Sequence, residues 1–185
     1  DSKILTPVVE KAFRNALEIL QARYPGKNEL VLKNWDPGKT RCAALLLIER
    51  EAALHWASDR QRFPHAFSKN LQSMLDYGMK AGSEVIKMAR QKIKSASDSL
   101  LQALENIELI VTPTTPQSTF EFDAELPKNQ ADFTSLANFS GCPAISISCP
   151  VPEGSLPVGL QLISRPGSDN WLLETASNIE QMLVK

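Results

Sequence analysis

Several features that would assign a function directly are missing from this 185-residue sequence. No apolar run approaches the roughly 20 residues of a membrane-spanning helix, and no charged segment followed by an apolar one marks a secretory signal. Lys and Arg number 20 against 21 Asp and Glu, and their scatter excludes the basic stripe that binds nucleic acid phosphates. The sequence therefore predicts a cytoplasmic protein that binds neither nucleic acid nor membrane.

Metal-ligating and nucleophilic residues are also scarce. The three cysteines, Cys42, Cys142 and Cys149, are odd in number and unevenly spaced, which suits neither a disulfide framework nor a zinc site. We expect reduced, mostly buried thiols. His55 and His65 are ten residues apart and do not form a helical ligand pair. We predict no metal and no organic cofactor, and a cysteine hydrolase that pairs a thiol with a histidine is an alternative that the spacing does not require.

The composition itself is ordinary. Hydrophobic residues make up 43% and charged residues 22%, as in soluble globular proteins and unlike disordered chains. A chain of this length is typical of one domain, and it buries roughly two thirds of its unfolded surface. We therefore expect a single domain over residues 1–185. Because the first residue is Asp1 and not Met, we also expect a processed chain or part of a longer polypeptide.

Residues 1–106 are predicted to be mostly helical. Apolar residues recur at helical spacing, and Ser, Thr or Pro residues suited to helix starts precede several of these stretches. The predicted helices lie at residues 6–24, 40–58, 68–78 and 83–106. A short apolar run at residues 30–32 predicts a strand before the turn at residues 36–38.

Residues 107–185 are predicted to be rich in strands and to end in a helix. Strands are expected at residues 109–112, 144–149 and 158–163, and Asp169 is suited to cap the last helix. Residues 113–130 contain no such pattern and are predicted to form a long loop, which is uncommon unless it serves a site or a partner. The fold class is therefore α/β.

Four motifs in this second part carry a resemblance to a known family. They are Thr-Pro-Thr ending the strand at residues 109–114, Asn-Phe-Ser-Gly-Cys-Pro-Ala at 138–144, Pro-Val-Gly-Leu-Gln at 157–161 and Arg-Pro-Gly at 165–167. In type and order they resemble the C-terminal region of the amidase signature family. The resemblance implies the C-terminal half of the amidase signature fold, with a helical first part and then three strands of a mixed sheet covered by helices.

The family resemblance also implies a reaction. Enzymes similar to this chain hydrolyse amides with a serine nucleophile, a second serine in a cis peptide and a lysine base, within a Gly/Ser-rich stretch. The lysine must lose its proton to activate the hydroxyl, and the glycines free backbone N–H groups for the oxyanion. Here the Gly/Ser neighbours are solitary pairs. We expect the triad to lie upstream, no catalytic residue within this segment, and an inactive chain by itself.

Three residues are candidates for contact with a small amide substrate. The resemblance places Asp132, Phe133 and Asn138 beside the substrate pocket, where Asp132 could meet an amine or amide and Phe133 could supply an apolar wall. A helix cap, a core aromatic and a turn residue are the structural alternatives. The expected partner is the missing N-terminal portion of the enzyme or a second copy of the chain. A noncatalytic binding or assembly module derived from this fold is the second hypothesis.

Overall fold

The computed structural model describes residues 4–24 and 29–183. In this part of the chain, the α-helices are α1 Pro7–Arg23, α2 Pro37–His55, α3 Ala57–Arg62, α4 Lys69–Lys80, α5 Ser83–Leu104, α6 Thr134–Ser140 and α7 Asp169–Leu183, and a 3-10 helix spans Pro64–Ala66. The strands are β1 Ile110–Pro113, β2 Ala144–Ser148 and β3 Gly159–Ile163. This confirms the α/β fold class. None of the helices in these two ranges has both the length and the apolarity of a bilayer span.

Helix ends follow local chemistry. The Asp36 carboxylate accepts from the Lys39 N–H at 3.0 Å, and the Ser68 hydroxyl accepts from the Leu71 N–H at 3.2 Å. Side-chain acceptors at this position satisfy N–H groups that a helix start leaves without partners. Because Asp36 is the cap, α2 begins at Pro37 and not at residue 40 as predicted.

The predicted strand at residues 30–32 is wrong. These residues have no regular structure and pair with no strand of the described chain. Leu32 instead packs, partly buried, beside a core cluster that contains Leu100 and Leu136. The apolar run thus reflects packing against helices. A short apolar segment does not by itself separate the two outcomes.

The three strands predicted in the second part are confirmed, and each strand end lies within one residue of its predicted position. In the described chain their order is β1-β3-β2, and β3 is antiparallel to both neighbours. The sheet that the resemblance implied to be mixed is therefore antiparallel across these strands. Gln161 of β3 lies opposite Thr112 of β1 and Ser146 of β2. Between β1 and α6 the chain forms only turns, bends and irregular backbone, as predicted for the long loop.

The alternation of β3 side chains divides the apolar core between the two faces of the sheet. Leu160 and Leu162 are fully buried in a cluster with residues of α1 and α7. Ile163, which points the other way, is fully buried in a second cluster with residues of α5 and α6. Burying a side chain of this size contributes about 1.5 to 3 kcal/mol. The sheet is thus fixed between helices on both sides.

Helix α2 packs closely against α4 and α5. Ala43 and Leu46 of α2 form a small buried cluster with Ala89 of α5. At the α4 contact, a Cβ placed on Gly78 would lie 2.5 Å from the Arg50 backbone nitrogen. Only glycine allows this approach of the two helix backbones. The contact fixes the position of α2, which also forms one wall of the cleft described next.

Candidate functional site

An open cleft of about 580 Å³ lies between α2, α5, α6 and the end of the long loop. This volume is in the range of small-molecule sites, about 300 to 1,000 Å³. The walls are mostly apolar, and their main contributors are Leu45, Leu47, Ile48, Ile93 and Phe139. Leu45 and Ile48 of this wall are 37% and 61% exposed in the described chain. They are free to contact a ligand.

One end of the cleft contains a charged pair. Arg41 lines the cleft, and its Nε donates to the Asp132 Oδ1 at 2.6 Å. The side chains of Arg41 and Asp132 are only 20% and 7% exposed, so water screens the pair weakly. Removal of one member of a buried pair leaves an uncompensated charge. The pair therefore joins α2 to the segment that leads into α6.

The structure places the three predicted substrate residues differently. Asn138 lines the cleft directly, from α6. Asp132 does not line the cleft, but its carboxylate accepts a hydrogen bond from Arg41, which does. The Phe133 ring packs against the ring of Trp35, with centroids 6.1 Å apart, and is not among the residues that line the cleft. One of the three candidates thus lines the cleft and a second contacts a residue that lines it, and a substrate role for all three remains a prediction.

Sequence reasoning missed Arg41 and Lys128 as residues that line the cleft. One signal was available for Arg41, because Arg41, Leu45 and Ile48 follow the i, i+4, i+7 spacing of a single helix face. No pattern identified Lys128, which lies in the long loop. Its position depends on how the loop folds back toward α2.

Two of the thiols are unsuited to nucleophilic catalysis. Cys142 and Cys149 are buried as predicted, whereas Cys42 is exposed. Burial raises the pKa of Cys142 and raises the pKa of Cys149 to about 11, so both favour the thiol over the reactive thiolate. This argues against a cysteine hydrolase built on either. Across residues 4–24 and 29–183, no three His, Cys, Asp or Glu residues form a group that could hold a metal ion.

The sequence motifs themselves have structural roles. Gly141 ends α6 in the left-handed conformation, with φ of 67°, and the Cys142 N–H donates to the Ala137 carbonyl at 3.2 Å. Gly159 leaves room for a hydrogen bond of 2.6 Å between the hydroxyls of Thr114 and Ser146. These residues therefore hold the strands and α6 in place, and α6 in turn presents Asn138 to the cleft.

Sequence comparisons point to one family. Residues 6–173 match the family model described as Amidase. A glutamyl-tRNA(Gln) amidotransferase subunit from Thermodesulfovibrio yellowstonii is 36% identical over 112 residues, which cover 57% of this chain and 23% of that protein. The corresponding protein of Legionella pneumophila is 39% identical over 89 residues, or 45% of this chain and 18% of that protein. These matches thus span less than a quarter of the relatives' own length.

Comparison with solved structures shows the same fold. A bacterial aryl acylamidase of the amidase signature family superimposes with a TM-score of 0.79 at 14% identity, over 96% of this chain and 41% of that one. The glutamyl-tRNA(Gln) amidotransferase subunit from Thermotoga maritima gives a TM-score of 0.73 at 24% identity, over 96% and 39%. The chain therefore spans about two fifths of these structures, and at such identities the likeness concerns the fold.

Proposed function

The chain belongs to the amidase family, and from this premise we propose that it is the C-terminal, pocket-forming part of an enzyme that hydrolyses carboxamide C–N bonds. The observation that carries the proposal is the cleft, which lies within a segment that matches the amidase fold over 96% of its length. In this proposal residues 1–185 act as one domain. They contribute strands, covering helices and one wall of the substrate pocket.

The catalytic groups would come from outside these residues. Amide hydrolysis of this type needs a hydroxyl activated by a base, attack on the carboxamide carbon, release of ammonia or an amine, and attack of water on the acyl-enzyme. The sequence has no Gly/Ser-rich stretch with a lysine base. Its two buried thiols have raised pKa values, which weaken them as substitutes. We therefore assign the Ser-Ser-Lys triad to a segment upstream of this one.

The predicted substrate residues have distinct parts in this proposal. Asn138 would hydrogen-bond the substrate carboxamide, because a side-chain amide both donates and accepts. Asp132 would hold Arg41 against the cleft wall through their 2.6 Å bond. Phe133 would act indirectly, since its ring packs on Trp35 and its carbonyl accepts from Gln161 at 3.4 Å.

Ammonia release from carboxamides tests the proposal. The 185-residue chain alone should release none above the buffer rate, whereas the chain joined to the segment encoded upstream of Asp1 should hydrolyse them. In the joined protein, Asn138→Ala should lower kcat/KM about tenfold, the effect of losing one hydrogen bond in the transition state. Asn15→Ala, on the exposed face of α1, is the matched control and should have no effect. Hydrolysis by the chain alone that survives replacement of its cysteines would contradict the proposal.

A noncatalytic assembly module is a second candidate, favoured by the outer edge of β2. This strand has one neighbour in the sheet of the described chain, and its exposed residues Ala144, Ser146 and Ser148 include no proline or charge. Such an edge can pair with another strand. A second copy of the chain, or the N-terminal portion of the enzyme, could supply that strand. A defined dimer of the 185-residue chain in size-exclusion chromatography would favour the module, and a monomer would count against it.

A further inference from the structure

We propose that residues 120–126 of the long loop form a lid, which closes over the cleft and places its apolar side chains on the α2 wall. Closure itself is a property of the fold and needs no reaction, whereas its effect on hydrolysis rests on the proposed function. Three features of the chain support the lid: an amphipathic pattern without a partner, a loop fixed only at its two ends, and an exposed apolar wall within reach.

The lid segment, residues 120–126, alternates strictly between two kinds of residue. Phe120, Phe122, Ala124 and Leu126 are apolar, and the residues between them are Glu121, Asp123 and Glu125. In an extended backbone, alternate side chains point to opposite sides, so one side of the segment is apolar and the other negatively charged. This alternation is typical of a segment that buries one side.

The apolar side of the lid segment is nevertheless exposed. Phe122 is fully exposed, and Phe120 and Leu126 are 40% and 68% exposed. Across the part of the chain that the structure describes, no residue of the segment belongs to a hydrophobic core cluster. The pattern therefore indicates an apolar partner surface that the segment does not contact in this conformation.

The long loop is fixed at both ends and has few contacts between them. At its start, the Pro116 carbonyl accepts from the Thr6 N–H at 2.9 Å. At its end, the Asp132 carboxylate accepts from Arg41 at 2.6 Å. In the described chain, the lid segment makes one hydrogen bond, which is internal to it, and no ion pair. Segments with so few contacts change conformation at a small cost in free energy.

An apolar surface lies within reach of the lid segment. The residues that follow it, Pro127 and Lys128, line the cleft. The five residues from Pro127 back to Phe122 can span roughly 17 Å when extended, which exceeds the width of a cleft of about 580 Å³. Leu45 and Ile48 of the α2 wall are exposed to water. Contact with Phe122 would cover apolar surface on both partners, which is favourable, while the three carboxylates stay in solvent.

Disulfide trapping tests the lid. The exposed thiol is removed by Cys42→Ser, and Phe122→Cys is combined with Ile48→Cys. A disulfide forms only when the two Cα atoms come within about 7 Å. The matched control combines Phe122→Cys with Leu54→Cys, because Leu54 is 57% exposed on the same helix but does not line the cleft. Under mild oxidation, intact mass should show the intramolecular 48–122 disulfide forming at least about tenfold faster than the 54–122 disulfide.

Two results would overturn the lid: equal rates for the two cysteine pairs, or no disulfide between positions 48 and 122 of a folded chain. The same pair is also tested in the chain joined to its upstream segment. A disulfide that forms in the 185-residue chain but not in the joined protein would show that the upstream segment covers the wall, and it would overturn the lid as well.

The joined protein separates the lid from the proposed function. A lid locked shut blocks entry of the substrate, so the 48–122 disulfide should abolish ammonia release and its reduction should restore it. Undiminished ammonia release with the disulfide in place would overturn the lid. Absence of ammonia release from the reduced joined protein would instead refute the proposed activity, and the trapping rates would still decide whether the lid closes.

Discussion

The contact between α2 and α4 gives the sharpest test of the fold that supports the cleft. A Cβ added at Gly78 would lie 2.5 Å from the Arg50 nitrogen, 2.6 Å from the Glu49 carbonyl carbon and 2.9 Å from the Arg50 Cα. All three are backbone atoms, so no side chain can rotate away. To restore ordinary contact, the helices must separate by roughly 1 Å, and overpacking of this kind costs about 1 to 3 kcal/mol.

Helix propensity acts in the opposite direction and sets the net effect. Alanine is favoured over glycine in a helix by about 1 kcal/mol, so we expect Gly78→Ala to lower the free energy of unfolding by about 2 kcal/mol at most. The matched control is Gly38→Ala in α2, where the nearest atom to the added Cβ is the Asp36 Oδ1 at 4.0 Å. That change should raise stability by about 0.5 kcal/mol. Urea denaturation of the two variants measures both, and a Gly78→Ala chain as stable as Gly38→Ala would refute the close approach of the helices.

Further predictions concern the ion pair, a buried thiol and the sheet. Asp132→Asn should lower the free energy of unfolding, measured by urea denaturation, by about 3 kcal/mol, because Arg41 would stay largely buried without a counter-charge. Replacing both Arg41 and Asp132 by leucine should recover most of this loss. Burial raises the pKa of Cys149 to about 11 from an ordinary 9.0, so the free energy of unfolding should fall as the pH rises from 9 to 11. Urea denaturation at pH 8 and at higher pH measures this fall. If the Cys149→Ser chain lost as much stability over the same pH range, burial of the Cys149 thiol would be contradicted. Gly159→Ala should lower the melting temperature, because the added Cβ would lie 2.5 Å from the Thr114 hydroxyl oxygen. An unchanged melting temperature would show that the Thr114 and Ser146 hydroxyls move apart without cost.

Much of the fold was predictable because local signals agreed with the final packing. The helix predicted at residues 68–78 is α4, whose start the Ser68 hydroxyl caps, and the strand predicted at residues 158–163 is β3. The run at residues 30–32 failed because its apolar residues pack against helices and form no ladder. The start of α2 was missed because Asp36 was interpreted as part of a turn, although its carboxylate caps the helix.

The candidate site was predicted less completely. Asn138 was identified from a motif and does line the cleft, but Arg41 was not identified, and its partner Asp132 is 91 residues away along the chain. Phe133 was expected in the pocket wall, yet its ring contacts Trp35 instead. Contacts between residues so far apart in the sequence depend on how α2 and α6 pack against each other. The periodicity of a single sequence does not indicate this packing.

The sequence by itself determined the secondary structure of most segments, the order of the motifs and the shortage of groups for activating a hydroxyl. These depend on local backbone preferences, helix and strand periodicity, and residue types. Only the tertiary structure decided that Leu45 and Ile48 border a cleft, that Arg41 neutralises Asp132, and that Cys149 has a raised pKa. Each of these depends on residues far apart in sequence that come together only when helices and sheet pack, because burial and charge pairing are properties of the assembled interior.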